Sequence, residues 1–478
     1  MWLFLLIISR LLTFNPNAAF LDSAEYVNLA NSKWHIALSS GHRPIHPEYI
    51  ALLKLVPMPA GLISALAGIG TIIVFYFLVK ELWDKQTAKT AAIILALLPG
   101  VWIVQENVMV EAVSLWWLTL ATYLAVKKRW FWTGISLILM LLTHNQMLLW
   151  IPLMFGFTKI RIKVIVLAVV AAAIVYALLG QDLLGLIYTK TSEIVPWWSG
   201  IRNAIVLWLR LHSNLVGLVG IVALLKMKSW RWLLIPYLFW AQFYSADFLI
   251  RRLIPVALVT SLAIAVAVKH RLALAGLIAV LAVTSMPVVW SYSWINKDQI
   301  INKMHQLQAQ IPQDALYIDS HFLRTINSFG GETYHLGESS NQLTPLQAIE
   351  VALGQGKRVF IDYQAIVDPY QFYVGNQLHP LSLGKFGKSP AQEIFKQFFI
   401  KDILVVDAQK RIFAYELSDQ PTDGGQEVPG STILVYSNNR LLKQRLDYYD
   451  PLTWLWALLT NRREAMWVYA DADGKVVF

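Results

Sequence analysis

Long apolar runs alternate with short polar ones through the first 290 residues, and the alternation stops there. A run of roughly 17–25 apolar residues is long enough to cross a hydrocarbon core as a helix. On that criterion about eleven spans are expected: Trp2–Phe20, Ala60–Val79, Thr87–Val104, Val110–Val126, Trp130–Thr143, Met147–Thr158, Ile162–Gly180, Asn203–Leu225, Trp232–Ala246, Leu253–Val268 and Leu272–Trp290. The fifth and sixth are short and meet at the polar corner Thr143–Gln146, so they are tilted spans or a re-entrant pair.

After residue 290 the period changes. Ser291–Gln310 reads as a polar helix. Apolar strands then alternate with helical stretches: ALYIDS from Ala315, LQAIEVAL from Leu346, KRVFIDY from Lys357, PAQEIFKQFF from Pro390, DILVVDA from Asp402 and RIFAYEL from Arg411. Such alternation predicts a small α/β domain. Ser418–Gly430 is a turn-rich loop. GQGK at Gly354–Lys357 precedes a strand instead of following one, so it makes a poor phosphate cradle. The run LTWLWALL from Leu452 is too short to span and reads as an interfacial or docking helix. The expected organisation is a membrane α-helical domain over 1–290, an extracytoplasmic α/β domain over 291–450 and a docking segment over 451–478.

Composition sharpens this picture. The chain of 478 residues is 56% hydrophobic and 15% charged, with mean hydropathy +0.50. A soluble domain carries about 25% charged residues, so a purely soluble enzyme is excluded. The 20 Trp, 19 Tyr and 21 Phe suit interface anchoring. With no Cys, thiolate metal sites, disulfides and a Cys nucleophile are excluded. Residues 1–290 hold 23 Lys and Arg against 10 Asp and Glu; the remainder hold 17 against 20. The net charge of +10 is therefore a statement about topology and implies no nucleic-acid partner.

Alternate loops carry Lys80/Lys85/Lys89, Lys127/Lys128/Arg129, Lys159/Arg161/Lys163, Lys226/Lys228/Arg231 and Lys269/Arg271. The positive-inside rule places these in the cytoplasm, with Met1 inside and the tail outside a cell membrane crossed many times. A cleaved signal peptide is the other reading of the first run. That run lacks a basic start and holds Arg10 within it.

Of the ten acids in this part, only Glu81 and Asp84 are cytoplasmic. Asp22, Glu25, Glu48, Glu106, Glu111, Asp182, Glu193 and Asp247 map to the external side. Asp182 and Glu193 read as solvated loop acids. Asp22/Glu25 and Glu106/Glu111 abut apolar helices, where an acid is costly and more often functional.

The first external loop, Leu21–Lys54, concentrates the chemistry. Asp22 and Glu25 share a helix face at i, i+3. Tyr26, Leu29 and Ala30 continue an amphipathic pattern that suits a surface helix. Asp22 and Ser23 also fit an N-cap, so Asp22 is either a cap or a reacting group. Downstream, His42, Arg43 and His46 are interleaved with Pro44 and Pro47, which stiffen the loop. The HxxxH spacing with two acids leaves a divalent metal open, although none is required by the chemistry below.

The order of these features resembles a known class. A first helix with Arg10, then DxxEYxxxA at Asp22–Ala30, then GHRPIHPEY at Gly41–Tyr49, resembles integral-membrane glycosyltransferases of the GT-C class. The likeness is to bacterial relatives of protein O-mannosyltransferases and of the lipid A aminoarabinose transferases. Glu106 and Glu111 in ENVMVEAVSLWWLTLATYLA match an acid opening the fourth helix. LLTHNQ, with His144, matches the polar break between the fifth and sixth. DFLIRRLIPVAL from Asp247 matches the start of a late helix, RYLLP, with its Tyr replaced; Arg251 and Arg252 both fit the basic position. The likeness covers roughly residues 1–290. It implies a donor sugar, mannose or another hexose, carried on polyprenyl phosphate. The acceptor hydroxyl would belong to a glycan, lipid or protein, and the catalytic acid would be Asp22 with Glu25 as partner.

The residue types suit that reaction independently. Transfer needs a base for the acceptor proton and cations where phosphate charge develops. Asp22 is the expected base, with Glu25 and Glu111 beside it. Arg10, Arg251 and Arg252 are the expected phosphate cations, guanidinium forks matching phosphate oxygens. Arg202, Arg210 and His212 form a second cationic set. An arginine at the depth of Arg210 costs roughly 2.5–3.5 kcal/mol, which argues for a partner or a function. Arg251/Arg252 also read as a snorkelling pair, His144 as a satisfied polar group at a helix break, and Trp116/Trp117 and Trp197/Trp198 as interface anchors. The rival function is a transporter or flippase of a lipid-linked or anionic substrate. Transporters show paired broken helices, and the sequence displays one, at Thr143–Gln146.

Overall fold

The computed structural model describes residues 2–16, 21–39, 46–180, 204, 208, 211–212, 214–227, 236–238, 253–292, 294–320, 328–336, 342–362, 365, 373–374, 377–378, 394, 397–407, 412–421, 469–470 and 476–477. The chain divides into two compact units, Met1–Trp294 with Tyr448–Pro451 and Ile295–Asp447 with Leu452–Phe478.

The described residues of the first unit are helical throughout. They form α1 (Trp2–Thr13), α2 (Leu21–Asn31), α3 (Trp34–Ser39), α4 (Pro47–Leu55), α5 (Ala60–Leu82), α6 (Lys85–Leu97), α7 (Pro99–Glu106), α8 (Val110–Val126), α9 (Trp130–Thr143), a 3-10 turn over Asn145–Trp150, α10 (Pro152–Phe157), α11 (Ile162–Leu178), α12 (Asn214–Lys226), α13 (Pro255–Ala267) and α14 (Arg271–Tyr292). Prolines punctuate them. Pro47, Pro99, Pro152 and Pro255 each stand in the first turn of a helix, where the missing N–H costs nothing.

Two expected spans coincide with single helices, α8 and α9. Three differ. In the run Trp2–Phe20 the first helix ends at Thr13, and residues 17–20 lie outside the described residues. Among the described residues, α5 alone is long and apolar enough to cross a bilayer unaided. The expected span Thr87–Val104 is broken into α6 and α7, bent by 67°. Pro99 explains the bend, since it offers no N–H to the preceding turn. Two of the last carbonyls of α6 are answered from other helices. Arg10 donates from Nη2 to the Ala96 carbonyl at 2.5 Å, and Ser285 Oγ donates to the Leu97 carbonyl at 2.5 Å. The expected span at Met147–Thr158 is likewise broken, into the 3-10 turn and α10. Most of the expected span Trp232–Ala246, and the expected docking helix from Leu452, lie outside the described residues.

The first unit is built around a large apolar core that includes Ile72, Phe75, Leu95, Leu118, Leu137 and Leu262, with small polar side chains buried among it and apolar residues also facing outward. Ser64, Thr71, Ser114, Thr119 and Thr122 are buried. On α11 only Ala168, Ala172 and Tyr176, spaced four apart, are buried, while Val166, Leu167, Val170, Ile174 and Leu178 are exposed. Exposed apolar surface on this scale marks a face that meets a protein, ligand or membrane. Close approach demands glycine at Gly61, where an added Cβ would stand 1.7 Å from the Asn15 carbonyl oxygen.

The described residues of the second unit form a five-stranded sheet with a helix on each face, and two separate two-stranded ribbons. β1 (Leu316–Ser320), β2 (Glu332–Leu336), β3 (Val359–Asp362), β4 (Tyr373–Val374), β5 (Gln377–Leu378), β6 (Phe399–Asp407) and β7 (Ile412–Ser418) follow α15 (Trp294–Gln310), with α16 (Pro345–Gly354) between β2 and β3. The sheet order is β2-β1-β3-β7-β6, and one of the ribbons pairs β4 with β5. β1 pairs parallel with β2 and β3; β7 pairs antiparallel with β3 and β6. Alternation sorts the side chains into two cores. Leu316, Ile318, Val359, Ile361, Phe413 and Tyr415 pack with Ile349 of α16. Tyr317, Phe360, Ile412 and Ala414 pack with Met304 and Leu307 of α15. Thr344 and Gln347 form a capping box that starts α16. β2 was not expected from the sequence, because ETYHL is mostly polar and fits an edge strand.

Candidate active site

The ends of the first unit are chemically distinct. α5 runs from Ala60 to Leu82 and α8 from Val110 to Val126, and the Glu81–Lys127 ion pair at 2.5 Å joins their ends at the basic loops. At the opposite end Ser64 of α5 meets the start of α8, its Oγ accepting from the Met109 N–H at 3.1 Å. α9 returns from the basic end and stops at Thr143.

The helices of the first loop lie over this second end. Ser23 is pinned there, donating from Oγ to the Val108 carbonyl at 2.5 Å. That bond is tertiary, so Ser23 does not cap α2 as the sequence had allowed. Asp22 is the second residue of α2, beside this anchor. Lys54, at the end of α4, donates to the carbonyls of Ala30 and Ser32 at 2.8 and 2.5 Å and ties α4 to the end of α2. Tyr26 then packs edge-on against both His46 and Tyr49, ring centroids 5.3 and 5.5 Å away.

Glu48 sits at the centre. It opens α4, in the first turn after Pro47. Trp117 Nε1 donates to its Oε1 at 3.1 Å, and Thr143 Oγ1 donates to its Oε2 at 2.6 Å. Both donors are neutral. Burial raises the Glu48 carboxyl to about 7, against the opposing pull of the Thr143 and Trp117 hydrogen bonds. Tyr49, next along, is buried with its hydroxyl 3.4 Å from Ser64 Oγ. Burial, with smaller contributions from Glu111 and Glu48, also pushes its phenol up.

Beside Glu48 stand two histidines and a second acid. The His46 and His144 ring centroids are 5.1 Å apart. His144 Nε2 lies 3.8 Å from Glu111 Oε1, an electrostatic approach longer than a hydrogen bond. His46, Glu111, His144, Asn145 and Gln146 are all buried. A buried polar cluster of this density is expensive unless it serves a purpose.

Of the residues singled out from sequence, the structure brings together His46, Glu111 and His144; the helix α2, in whose sequence Asp22 and the half-buried Glu25 stand, packs against α4. Arg10, expected among the phosphate cations, is instead fully buried. Its Nε donates to Gln105 Oε1 at 3.0 Å, its Nη2 to Ala96, and it stacks over Trp102 at 4.2 Å. Two of its hydrogen bonds brace the α6–α7 bend. Glu106 is the buried last residue of α7, and its backbone carbonyl accepts from the Asn15 N–H at 2.6 Å. His42, Arg43, Arg202, Arg210, Arg251 and Arg252 lie outside the described residues, as do Asp182, Glu193, Asp247, Trp197 and Trp198. Among the described residues no group of three His, Cys, Asp or Glu is arranged to hold a metal ion.

Sequence reasoning missed Glu48, Trp117 and Thr143 as one unit. Glu48 was visible inside HPEY, yet nothing local shows that α4 packs against α8 and α9. Trp117 was read with Trp116 as an interface anchor; its indole N–H is committed to Glu48, while the two rings stack at 4.5 Å.

The solved structures that resemble the chain include two of one protein. ArnT from Cupriavidus metallidurans in the apo state is 9% identical with TM-score 0.47, over 86% of this chain and 96% of that one. The same protein bound to undecaprenyl phosphate is 8% identical with TM-score 0.45, over 87% and 98%. No model of a protein family matches the chain, and no curated protein matches it.

Proposed function

We propose that this chain is a polytopic membrane glycosyltransferase of GT-C type. It transfers a sugar, a hexose such as mannose, from a polyprenyl-phosphate donor to an acceptor hydroxyl at the end of the helices remote from the basic loops. The observation that carries the reading is Glu48, a buried carboxyl held by neutral donors beside Glu111, His46 and His144. The outward apolar face of α11 supports the membrane setting, and the ordered motifs of the first loop support the class.

In this mechanism the acceptor O–H gives its proton to the Asp22 carboxylate as the oxygen attacks the anomeric carbon. The bond from that carbon to the phosphate oxygen breaks, its electron pair goes to the phosphate, and the centre inverts. Positive charge grows on the sugar ring as the bond opens. The ionised Glu48 carboxylate, with Glu111, stabilises that charge in a site shielded from water. Arg251 and Arg252 remain the sequence's candidates for the departing phosphate. A divalent metal is not required by this scheme.

The test is transfer from labelled polyprenyl-phosphate sugars by the purified chain, compared with Asp22→Asn. Loss of roughly 10²–10⁴ in rate is expected for removal of a general base. Wild-type speed in the variant would sink the mechanism. The transporter reading gains one observation: the α6–α7 bend is a second interrupted helix beside the break at His144, and transporters pair such breaks. Substrate-dependent uptake into vesicles by Asp22→Asn, without sugar transfer by the wild type, would favour it.

A further inference from the structure

At the basic end of the first unit a cleft of about 990 Å3 opens between the first half of α6, the end of α13 and the start of α14. That volume is at the upper end of ligand pockets, roughly 300–1,000 Å3. Lys89, Lys269 and Arg271 line its mouth and are exposed. Asp84 is the one carboxylate in the lining, and the start of α6 already holds it. Its Oδ1 accepts from the Gln86 and Thr87 N–H groups at 2.8 and 2.9 Å, and its Oδ2 accepts from Thr87 Oγ1 at 2.5 Å. Three cations against one capped acid leave the mouth net positive.

Away from the mouth the walls become apolar, through Ile93, Ala265, Leu274 and Ile278. Ile93 is four residues beyond Lys89, and Ile278 is seven beyond Arg271. At about 1.5 Å per residue the apolar wall extends roughly 6–10 Å from the charges. A small soluble anion would answer the cations and leave that wall against water. A molecule with an anionic head and a hydrocarbon tail answers both. Basic pockets between helices on the cytoplasmic side take anionic lipid head groups for this reason.

We propose that this cleft binds an anionic phospholipid of the adjacent leaflet, with its phosphodiester among Lys89, Lys269 and Arg271 and its first methylenes along Ile93, Leu274 and Ile278. The site rests on the membrane-spanning reading but not on sugar transfer, because it lies at the opposite end from Glu48.

The purified full chain in detergent would be titrated with fluorescent phosphatidylglycerol and fluorescent phosphatidylcholine. The wild type is expected to prefer the anionic lipid by at least about tenfold. The triple variant K89Q/K269Q/R271Q is expected to lose on the order of a hundredfold in that affinity, and R271Q alone roughly fivefold, at about one cation's worth each. Equal affinity for the two lipids, or an unchanged R271Q, would overturn the site. Equal competition by glycerol phosphate would also overturn it, by showing that the ligand is a soluble anion. Selective lipid binding by a protein that transfers no sugar supports this site while refuting the proposed function.

Discussion

Glu48 in the first unit and Glu416 in the second are both glutamates in packed surroundings, and their partners make them opposites. Glu416 lies on β7, where Arg358 holds both of its oxygens at 3.0 and 2.6 Å and Lys401 adds a third contact at 3.0 Å. Burial pushes its carboxyl up, but the two cations outweigh it and hold it below the usual range. Glu48 is held by an indole and a hydroxyl, neither charged, and burial prevails. Loss of water is common to both sites. What differs, among the described residues, is whether a cation answers the charge, and the carboxyl held by neutral donors is left poised near neutral pH.

The largest expected consequence is kinetic. Glu48→Gln keeps the shape and removes the charge, and sugar transfer should fall by about 10²–10³, measured as single-turnover release of lipid phosphate. Glu416→Gln should leave transfer unchanged, and a comparable loss there would break the contrast.

Next comes stability, where the two sites should show opposite signs. A raised carboxyl binds a proton in the folded state that the unfolded chain has released. Stability therefore falls as pH rises from about 4.5 to about 7, by up to ~3 kcal/mol. Glu48→Gln should be more stable than the wild type at pH 8, with the gap closing below about pH 4.5, as read from unfolding midpoints. Glu416 works the other way. Its stabilisation is present above the unfolded pKa and is lost as pH falls through the lower folded value. Glu416→Gln should destabilise the second unit by about 1–2 kcal/mol at neutral pH, discounted because Arg358 and Lys401 are half exposed. A control at the bundle's basic end should show almost nothing. Lys127→Gln removes an exposed pair with Glu81 and should change stability by about 0.5 kcal/mol or less.

The contrast also explains what could be read from the chain. Val110–Val126 and Trp130–Thr143 were legible because an uninterrupted apolar run between charged turns decides its own ends. The break inside Thr87–Val104 was not, although Pro99 was in plain view. Stability of the bend depends on Arg10 and Ser285, 86 and 188 residues away, donating to two of the last carbonyls of α6. In the second unit the alternation of Val359–Asp362 and Ile412–Ser418 was visible, whereas β2 has too little apolar content to signal a strand. His46, Glu111 and His144 stood out because polar groups are rare beside such helices. Glu48 looked like an ordinary helix-opening acid, and only the packing of α4 on α8 and α9 makes it distinctive.

The pH dependence of single-turnover transfer, compared between the wild type and Glu48→Gln, tests the central claim most directly. The account predicts a wild-type rate that climbs through about pH 7 as Glu48 ionises, and a slow variant with no such limb. A variant that keeps the same limb would contradict it.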